Sequence, residues 1–196
     1  MSLFTFLKSR LVKGSPERLD LKYKTGFWNN LRGVEELAHY SIVAGYFQFL
    51  KKGGTVLDIA CGEGLLQQRI GAGNYSFYTG FDLSAEAISM AKSKEDIQTS
   101  FLVADMNTYK PATQFDAIIF NEVIYYSNVL NTLRRYSEFL KEDGIFILSN
   151  FDSQNGKIPW DDINRTFQIY DETEVSNKNG TQWVIKVFLN KSQTKE

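Results

Sequence analysis

Polar residues that could bind a ligand stand at the ends of several short apolar segments of this chain. Asp58 ends the first segment and Asp82 ends the second. Asp105 follows the third segment, and Asn121-Glu122 follows the fourth. A carboxylate can accept hydrogen bonds from the vicinal hydroxyls of a ribose or from the exocyclic amine of adenine. Polar ends on four apolar segments are not a packing pattern, so they predict one shared site for a nucleoside-like ligand.

A turn that contains two glycines follows the first apolar segment. Gly62 and Gly64 let the backbone pass close to a ligand before a helix that we expect to begin near Leu65. Ala60 and Cys61 lie in the same turn. We interpret Cys61 as a small turn residue rather than a nucleophile, because no histidine lies close to it in sequence. The turn is therefore predicted to hold a nucleotide-like cofactor, and several such cofactors would suit it.

Alternating helical and strand patterns position these residues. A helix is expected at 34–50, before the first strand. The pattern that follows predicts a strand at 76–82, a helix at 84–94, strands at 100–104 and 115–121, a helix at 128–141 and a strand at 144–150. Residues 166–176 and 182–190 flank the turn-forming segment 177–180, which predicts an antiparallel hairpin. We predict an α/β fold, a three-layer α/β/α sandwich whose mostly parallel seven-stranded sheet ends in this C-terminal hairpin.

The composition limits the classes of protein to which the chain can belong. The chain has 196 residues, 43% of them hydrophobic, which suits one compact domain with a full core. Lys plus Arg total 22 and Asp plus Glu total 23, so no basic field favours nucleic acid as a partner. One cysteine and one histidine cannot build a disulfide framework or a usual zinc site. We therefore expect a cytoplasmic protein without a bound metal.

The first 33 residues are expected to form a helical arm or lid on a main domain of residues 34–196. Residues 3–13 combine apolar and basic side chains as an amphipathic helix does. Such a helix could dock on its own domain or lie on a membrane surface. No apolar run is long enough to cross a bilayer, so stable membrane insertion is not expected. The oligomeric state cannot be deduced from these patterns.

Together these motifs resemble those of the class I S-adenosylmethionine-dependent methyltransferases, over about residues 35–190. Asp58–Gly64 is similar to the family's glycine-rich first motif, and Asp82 is similar to its ribose-binding acid. Ala104–Met106 is similar to its adenine-binding segment, and Asn121–Val123 to its fourth motif beside the methyl group. The resemblance implies a Rossmann-like fold that binds S-adenosyl-L-methionine and releases S-adenosyl-L-homocysteine. The residues that it assigns to the donor are Asp58, Ala60, Cys61, Gly62, Gly64, Leu65, Asp82, Leu83, Asp105, Met106, Asn121 and Glu122.

The resemblance implies methyl transfer, while the near-neutral charge and the candidate aromatic walls favour a small organic acceptor over nucleic acid, such as a natural product, a sugar or another secondary metabolite, methylated on oxygen or on nitrogen. Ala60 departs from the pattern, since many members have a glycine there, but alanine is small enough for close backbone approach to be expected. One rival is a nicotinamide-dependent oxidoreductase, but its third loop glycine would fall at Gln67. A second rival is a non-catalytic scaffold or cofactor sensor with the same fold. An intact set of cofactor residues favours the methyltransferase.

Few side chains suit acid–base chemistry. Glu122 follows the fourth strand and His39 lies on the helix that enters the domain, so these two are the candidate general bases. Each could also have only a binding or packing role. Aromatic residues that could wall an acceptor pocket, or simply belong to the core, are Phe27, Trp28, Tyr125, Tyr126 and Trp160.

Overall fold

Seven strands and six α-helices make up the part of the chain that the computed structural model describes, residues 15–151 and 158–189. The helices are α1 (Pro16–Lys24), α2 (Leu37–Leu50), α3 (Leu65–Ile70), α4 (Ala85–Lys92), α5 (Val129–Ser137) and α6 (Trp160–Thr166). The strands are β1 (Thr55–Ile59), β2 (Phe77–Asp82), β3 (Thr99–Val103), β4 (Phe115–Asn121), β5 (Leu140–Phe151), β6 (Gln168–Ser176) and β7 (Gln182–Leu189). Short 3-10 turns occupy Asn29–Arg32 and Ile124–Tyr126.

The strands form one sheet in the order β3-β2-β1-β4-β5-β7-β6. The first five strands in this order are parallel, while β7 is antiparallel to both β5 and β6. Asp58 in β1 stands opposite Gly80 on one side and Ile119 on the other. Because the strand order reverses between β1 and β4, a crevice opens beyond the carboxyl ends of these two strands. The predicted fold, a Rossmann-like sandwich with a C-terminal hairpin, is confirmed.

Two apolar clusters cover the two faces of the sheet. One cluster packs α2, α3 and α4 on one face, with Phe47 and Tyr78 fully buried. The other packs α5 and α6 on the opposite face, with Phe120, Tyr136 and Phe146 fully buried. Each buried aromatic ring removes a large apolar area from water. These clusters therefore hold the strand ends in fixed relative positions.

The predicted boundaries differ most from the structure between α5 and β5. The sequence pattern predicted a helix to residue 141 and a strand from 144, but α5 ends at Ser137 and β5 begins at Leu140. Leu140 pairs with Phe115, and the register then shifts before Ile145 pairs with Ala117. Pairing with β4 thus draws residues with helical spacing into a strand, which shows tertiary contacts overriding local preference.

Helix α6 lies where the sequence pattern predicted only a loop, over 152–165. Asp161 and Asp162 occupy its first turn and Arg165 its last turn, so their charges complement the helix dipole. Residues 152–157 and the amphipathic helix predicted at 3–13 lie outside the described residues. In the part of the chain that the structure describes, every helix is too short or too polar to cross a membrane.

Candidate active site

The glycine loop after β1 adopts the left-handed backbone conformation three times. The φ angles are 55° at Ala60, 57° at Gly62 and 79° at Gly64. A Cβ atom added at Gly64 would lie 3.0 Å from Cζ of Phe101, so the loop packs tightly on β3. The departure from glycine at Ala60 therefore has a local cost, because a left-handed alanine is strained by about 1 kcal/mol.

Asp82, at the end of β2, fastens the glycine loop to the start of α4. Its Oδ2 accepts a hydrogen bond from the backbone N of Gly62 at 3.0 Å, and its Oδ1 accepts one from the backbone N of Ser84 at 2.8 Å. Ser84 caps α4, since its Oγ accepts from the backbone N of Ala87 at 3.1 Å. Burial raises the pKa of Asp82 and outweighs the lowering effect of these bonds. The carboxylate is thus preorganised beside the loop, where a ribose acceptor is predicted.

Asp58 lies below the loop and is almost completely buried, with 2% of the residue exposed. The hydroxyl of Tyr78 donates a hydrogen bond to its Oδ2 at 2.5 Å. Burial raises the pKa of Asp58 to about 7, although this hydrogen bond lowers it. A carboxyl group with this pKa is partly protonated near neutral pH.

Asp105 follows β3 and closes a short turn through one carboxylate oxygen. Its Oδ1 accepts from the backbone N and the Nδ2 of Asn107, at 2.8 and 2.9 Å. Within the described residues its Oδ2 accepts no hydrogen bond, so this oxygen is available to a ligand. Met106, the predicted packing partner of an adenine ring, is half-buried beside it.

Glu122 holds the end of β4 against the end of β5. Its φ angle is 60°, and its backbone N donates to the carbonyl of Ser149 at 3.1 Å. Its carboxylate accepts from Oγ of Ser149 at 3.1 Å and from the backbone N of Phe151 at 3.0 Å. The preceding Oδ1 of Asn121 is buried and accepts no hydrogen bond within the described residues. The Glu122 carboxylate thus joins the end of β4 to β5, whereas the Asn121 side chain carries a buried acceptor with no partner among the described residues.

The second candidate base, His39, lies in the core, with 1% of the residue exposed. Its ring stacks on Trp183 of β7 at 4.8 Å, and its Nδ1 lies 3.6 Å from Oε2 of Glu36. The next residue, Tyr40, was not among the predicted site residues. Burial raises the pKa of the Tyr40 hydroxyl, and the nearby charges of Asp58, Glu36 and Glu122 raise it further. Tyr40 thus lies near acids that stand at or close to the ends of β1 and β4, and its ring contacts His39 at 4.5 Å.

The predicted aromatic walls lie in three separate places. Phe27 and Trp28 meet edge to face at 4.8 Å after α1. Tyr125 and Tyr126 lie 4.4 Å apart in the turn after β4. Trp160 lies on the face of β7, stacked on Phe188 with Nζ of Lys186 5.0 Å from its ring. Of the three groups, only the tyrosines directly follow a strand that ends at the crevice.

The N-terminal segment contacts both donor motifs, through residues that the sequence did not single out. Oδ1 of Asp20 accepts from Oγ of Ser84 at 2.6 Å and from the backbone N of Glu86 at 3.1 Å. The hydroxyl of Tyr23 lies 2.8 Å from the position of a Cβ on Gly62. These contacts bring α1 over the start of α4 and the glycine loop. No local motif marks them, because each joins residues far apart in sequence.

An ion pair extends this contact to Glu63 in the glycine loop. Nε and Nη2 of Arg32 donate to the two carboxylate oxygens of Glu63 at 2.6 and 2.5 Å. Nζ of Lys94 donates to the Glu63 carbonyl at 2.5 Å. The Glu63 side chain is 8% exposed and that of Arg32 is 51% exposed. A buried loop carboxylate is therefore neutralised by a half-exposed guanidinium of the arm.

The strand order, the glycine loop and the acids at the strand ends define a nucleoside-binding Rossmann-like protein of the methyltransferase type. Residues 50–191 match the family described as methyltransferase domain, and the chain belongs to this family. The resemblance to the S-adenosylmethionine-dependent methyltransferases that the sequence motifs indicated is thereby confirmed.

Solved structures share the fold at low sequence identity. The N-methyltransferase NodS from Bradyrhizobium japonicum WM9, in complex with S-adenosyl-L-homocysteine, is 16% identical, with a TM-score of 0.70 over 84% of this chain and 91% of that chain. The plantazolicin methyltransferase BpumL, in complex with a pentazolic desmethylPZN analog and S-adenosyl-L-homocysteine, is 14% identical, with a TM-score of 0.68 over 93% of this chain and 95% of that one.

A relative was also found by sequence. An uncharacterized protein of Methanocaldococcus jannaschii is 32% identical over 100 residues, which are 51% of this chain but only 38% of that protein.

The residues of the crevice fit S-adenosylmethionine. Gly62 and Gly64 adopt the left-handed conformation without strain, and the Cβ atoms that they lack would meet Tyr23 of the arm and Phe101 of β3, so the shape of the loop depends on glycine at both positions. Hydroxyl and amine groups of the donor require acceptors, and Asp82, Asp105 and Asn121 supply them at three strand ends. We therefore retain the predicted donor residues as the binding hypothesis for this crevice.

Proposed function

We propose that the protein methylates an oxygen or nitrogen atom of a small organic acceptor, such as a natural product, a sugar or another secondary metabolite. The observation that supports this proposal is the aromatic pair Tyr125 and Tyr126, whose rings lie 4.4 Å apart in the turn that follows β4 and Glu122. Burial and then the charges of Glu122 and Glu36 raise the pKa of Tyr125, and the same two acids act on Tyr40. Aromatic walls with a few polar groups suit a small organic ligand.

The mechanism requires mainly positioning. S-adenosylmethionine supplies a methyl group activated on a sulfonium sulfur, which leaves as a neutral thioether when the acceptor takes the carbon. Asp82 and Asp105 would hold the nucleoside part of the donor, and the loop of Gly62 and Gly64 would hold its methionine part. Tyr40 and Tyr125 orient the acceptor and exclude water. Glu122 remains the candidate base, although its bonds to Ser149 and Phe151 already occupy both carboxylate oxygens.

Residues 1–33 serve in this proposal as an arm that closes over the donor bound to the main domain, residues 34–196. Asp20, Tyr23 and Arg32 support this role, because they contact the cap of α4 and the glycine loop. Closure of such an arm excludes water from the reacting groups. The same contacts would make donor binding sensitive to changes in the arm.

A non-catalytic cofactor sensor is the main alternative. Incubation with S-adenosylmethionine labelled at the methyl group and a panel of amines, phenols and sugar alcohols separates the two functions. We expect transfer of label to at least one class of acceptor and loss of transfer in Tyr125→Ala. Tight binding of S-adenosylhomocysteine without transfer to any acceptor would instead favour the sensor.

The oxidoreductase alternative meets a structural obstacle at Gln67. A dinucleotide loop needs glycine there for close packing of helix and strand. Gln67 is buried, and its Nε2 donates to the hydroxyl of Tyr75 at 2.5 Å, which in turn bonds Oγ1 of Thr99 at 2.9 Å. A polar side-chain network thus fills the space that the third glycine would leave open.

A further inference from the structure

Helix α5 directs three hydrogen-bond donors at the turn that follows β3. Nη1 of Arg135 donates to the carbonyl of Asn107, and Nη2 of Arg135 donates to the carbonyl of Met106. The hydroxyl of Tyr136 donates to the same Met106 carbonyl at 2.9 Å. Two adjacent peptide carbonyls are therefore held by neighbouring side chains of one helix.

Arg135 and Tyr136 together form a clamp on the turn after β3, and packing holds the Tyr136 part of this clamp in place. Tyr136 is fully buried, and its ring meets Phe120 edge to face at 5.6 Å. The guanidinium of Arg135 lies 4.8 Å from the Tyr136 ring centre, within the range of a cation–π contact. Arg135 forms no ion pair among the described residues, so its charge acts on the two carbonyls. Charge-assisted bonds of this kind are stronger than neutral ones and fix the peptide planes that they contact.

The clamped turn is the one that presents Asp105. The Asn107 side chain and backbone N bind Oδ1 of Asp105, and the backbone N of Thr108 and of Tyr109 donate to the Asp105 carbonyl at 3.0 and 2.8 Å. The direction of the remaining oxygen, Oδ2, is thereby set by the orientation of the Met106 and Asn107 peptides. A change in those peptides would therefore redirect Oδ2.

We infer that Arg135 is a positioning residue that gives the donor site its preference for adenine. This inference rests on the proposed role of Asp105 as acceptor for the exocyclic amine of adenine. Hypoxanthine has a carbonyl oxygen in place of that amine, so a correctly placed carboxylate repels it. Asp105 is half-buried, so a carboxylate oxygen that meets a carbonyl in place of an amine donor gives a measurable discrimination between the two bases. Without the clamp, Asp105 can turn aside, and the two bases are bound more equally.

The test is isothermal calorimetry with S-adenosylhomocysteine and S-inosylhomocysteine on the full chain. The measured quantity is the ratio of the two dissociation constants. We expect a ratio of about 100 in the unmodified protein and a fall of about tenfold in Arg135→Met. Arg134→Met is the matched control, because Arg134 is the exposed preceding residue of the same helix and its loss changes the net charge equally. Its ratio is expected to stay unchanged.

Two further variants separate the inference from the proposed role of Asp105. Arg135→Lys keeps one charged donor group and is expected to give an intermediate ratio of the two dissociation constants. This variant also tests the inference if Arg135→Met fails to fold. Asp105→Ala is expected to lower the ratio at least as much as Arg135→Met. If Asp105→Ala lowers the ratio but neither Arg135 variant does, the clamp does not set the base preference. An unchanged ratio in all variants overturns both ideas, and equal loss of both ligands in Arg135→Met reduces Arg135 to a structural residue.

Discussion

Replacing Arg32 with methionine should loosen the N-terminal arm by an amount that the ion-pair geometry predicts. The substitution keeps much of the apolar stem and removes the two bonds to Glu63. Exposed ion pairs contribute about 0.2–1 kcal/mol, whereas removing one partner of a buried pair costs about 3–5 kcal/mol. Because Glu63 is 8% exposed and Arg32 is 51% exposed, we expect an intermediate cost of about 2 kcal/mol.

Hydrogen exchange of the backbone amides in α1 measures this cost directly. A loss of about 2 kcal/mol in arm docking corresponds to exchange about 30-fold faster for amides that open when the arm undocks. Amides of β1 and β4 should keep their protection, because the sheet does not depend on the arm. The affinity for S-adenosylhomocysteine, measured in parallel, should fall if the arm closes over the donor.

Two variants control this experiment. Lys24→Met removes a pair with Glu86 that is 3.8 Å long and has 60% and 34% exposed side chains, so it should cost no more than about 0.5 kcal/mol. Adding Glu63→Gln to Arg32→Met removes the unpaired buried charge and should restore part of the protection. If Arg32→Met accelerates exchange no more than Lys24→Met does, the Arg32–Glu63 pair does not hold the arm.

Three further predictions concern the strand ends and the glycine loop. Asp82→Ala should weaken S-adenosylhomocysteine binding by about 2–3 kcal/mol in calorimetry, since two charged hydrogen bonds to the ribose hydroxyls would be lost. The circular dichroism spectrum should stay unchanged. Unaltered affinity would remove Asp82 from the donor site. The pKa of Asp58 is raised from 3.8 to about 7, so between these pH values the native state binds a proton that the unfolded state does not. The contribution of this group to the free energy of unfolding is therefore complete below about pH 4 and is lost as the pH rises through 7. Urea unfolding should therefore show the advantage of the wild type over Asp58→Asn shrinking between pH 5 and pH 8, and a difference independent of pH would refute the assignment. Ala60→Gly should raise the unfolding free energy by about 0.5–1 kcal/mol, because φ at this position is 55°. Gly64→Ala should lower it by about 1–2 kcal/mol, because φ is 79° and the new Cβ meets Phe101. Calorimetric melting of the two variants checks both signs.

The donor loop shows where the sequence was informative and where its interpretation was incomplete. Spacing and residue type predicted a strand ending near Asp58, a turn through Gly62 and Gly64, and a helix from Leu65, as observed. Ala60 was treated as tolerable because it is small, but its φ of 55° shows that the position also demands a left-handed backbone. Side-chain size can be judged from sequence, whereas a backbone angle of this kind depends on how the loop packs.

Glu122 and His39 show the same difference for candidate bases. The sequence placed Glu122 after β4, and the structure adds that its carboxylate is bonded to the end of β5. His39 was placed on the entering helix, and the structure adds its burial against Trp183. The catalytic role of each remains a prediction, and neither set of contacts could be deduced from neighbouring residues. Tyr40, one residue after His39, was overlooked because helical spacing alone does not tell which side chain meets the crevice.

The sequence by itself determined the alternation of strands and helices, the glycine loop and the acids at the strand ends, because hydrophobic periodicity and turn chemistry are local properties. Only the tertiary structure joined Asp20 to Ser84, Arg32 to Glu63 and Arg135 to Met106, pairs separated by 64, 31 and 29 residues. Such contacts depend on the direction in which each side chain leaves its element and on the layer that covers it. The contact between the arm and the glycine loop and the clamp on the Asp105 turn are therefore properties of packing, while the glycine loop itself is a property of the local motif.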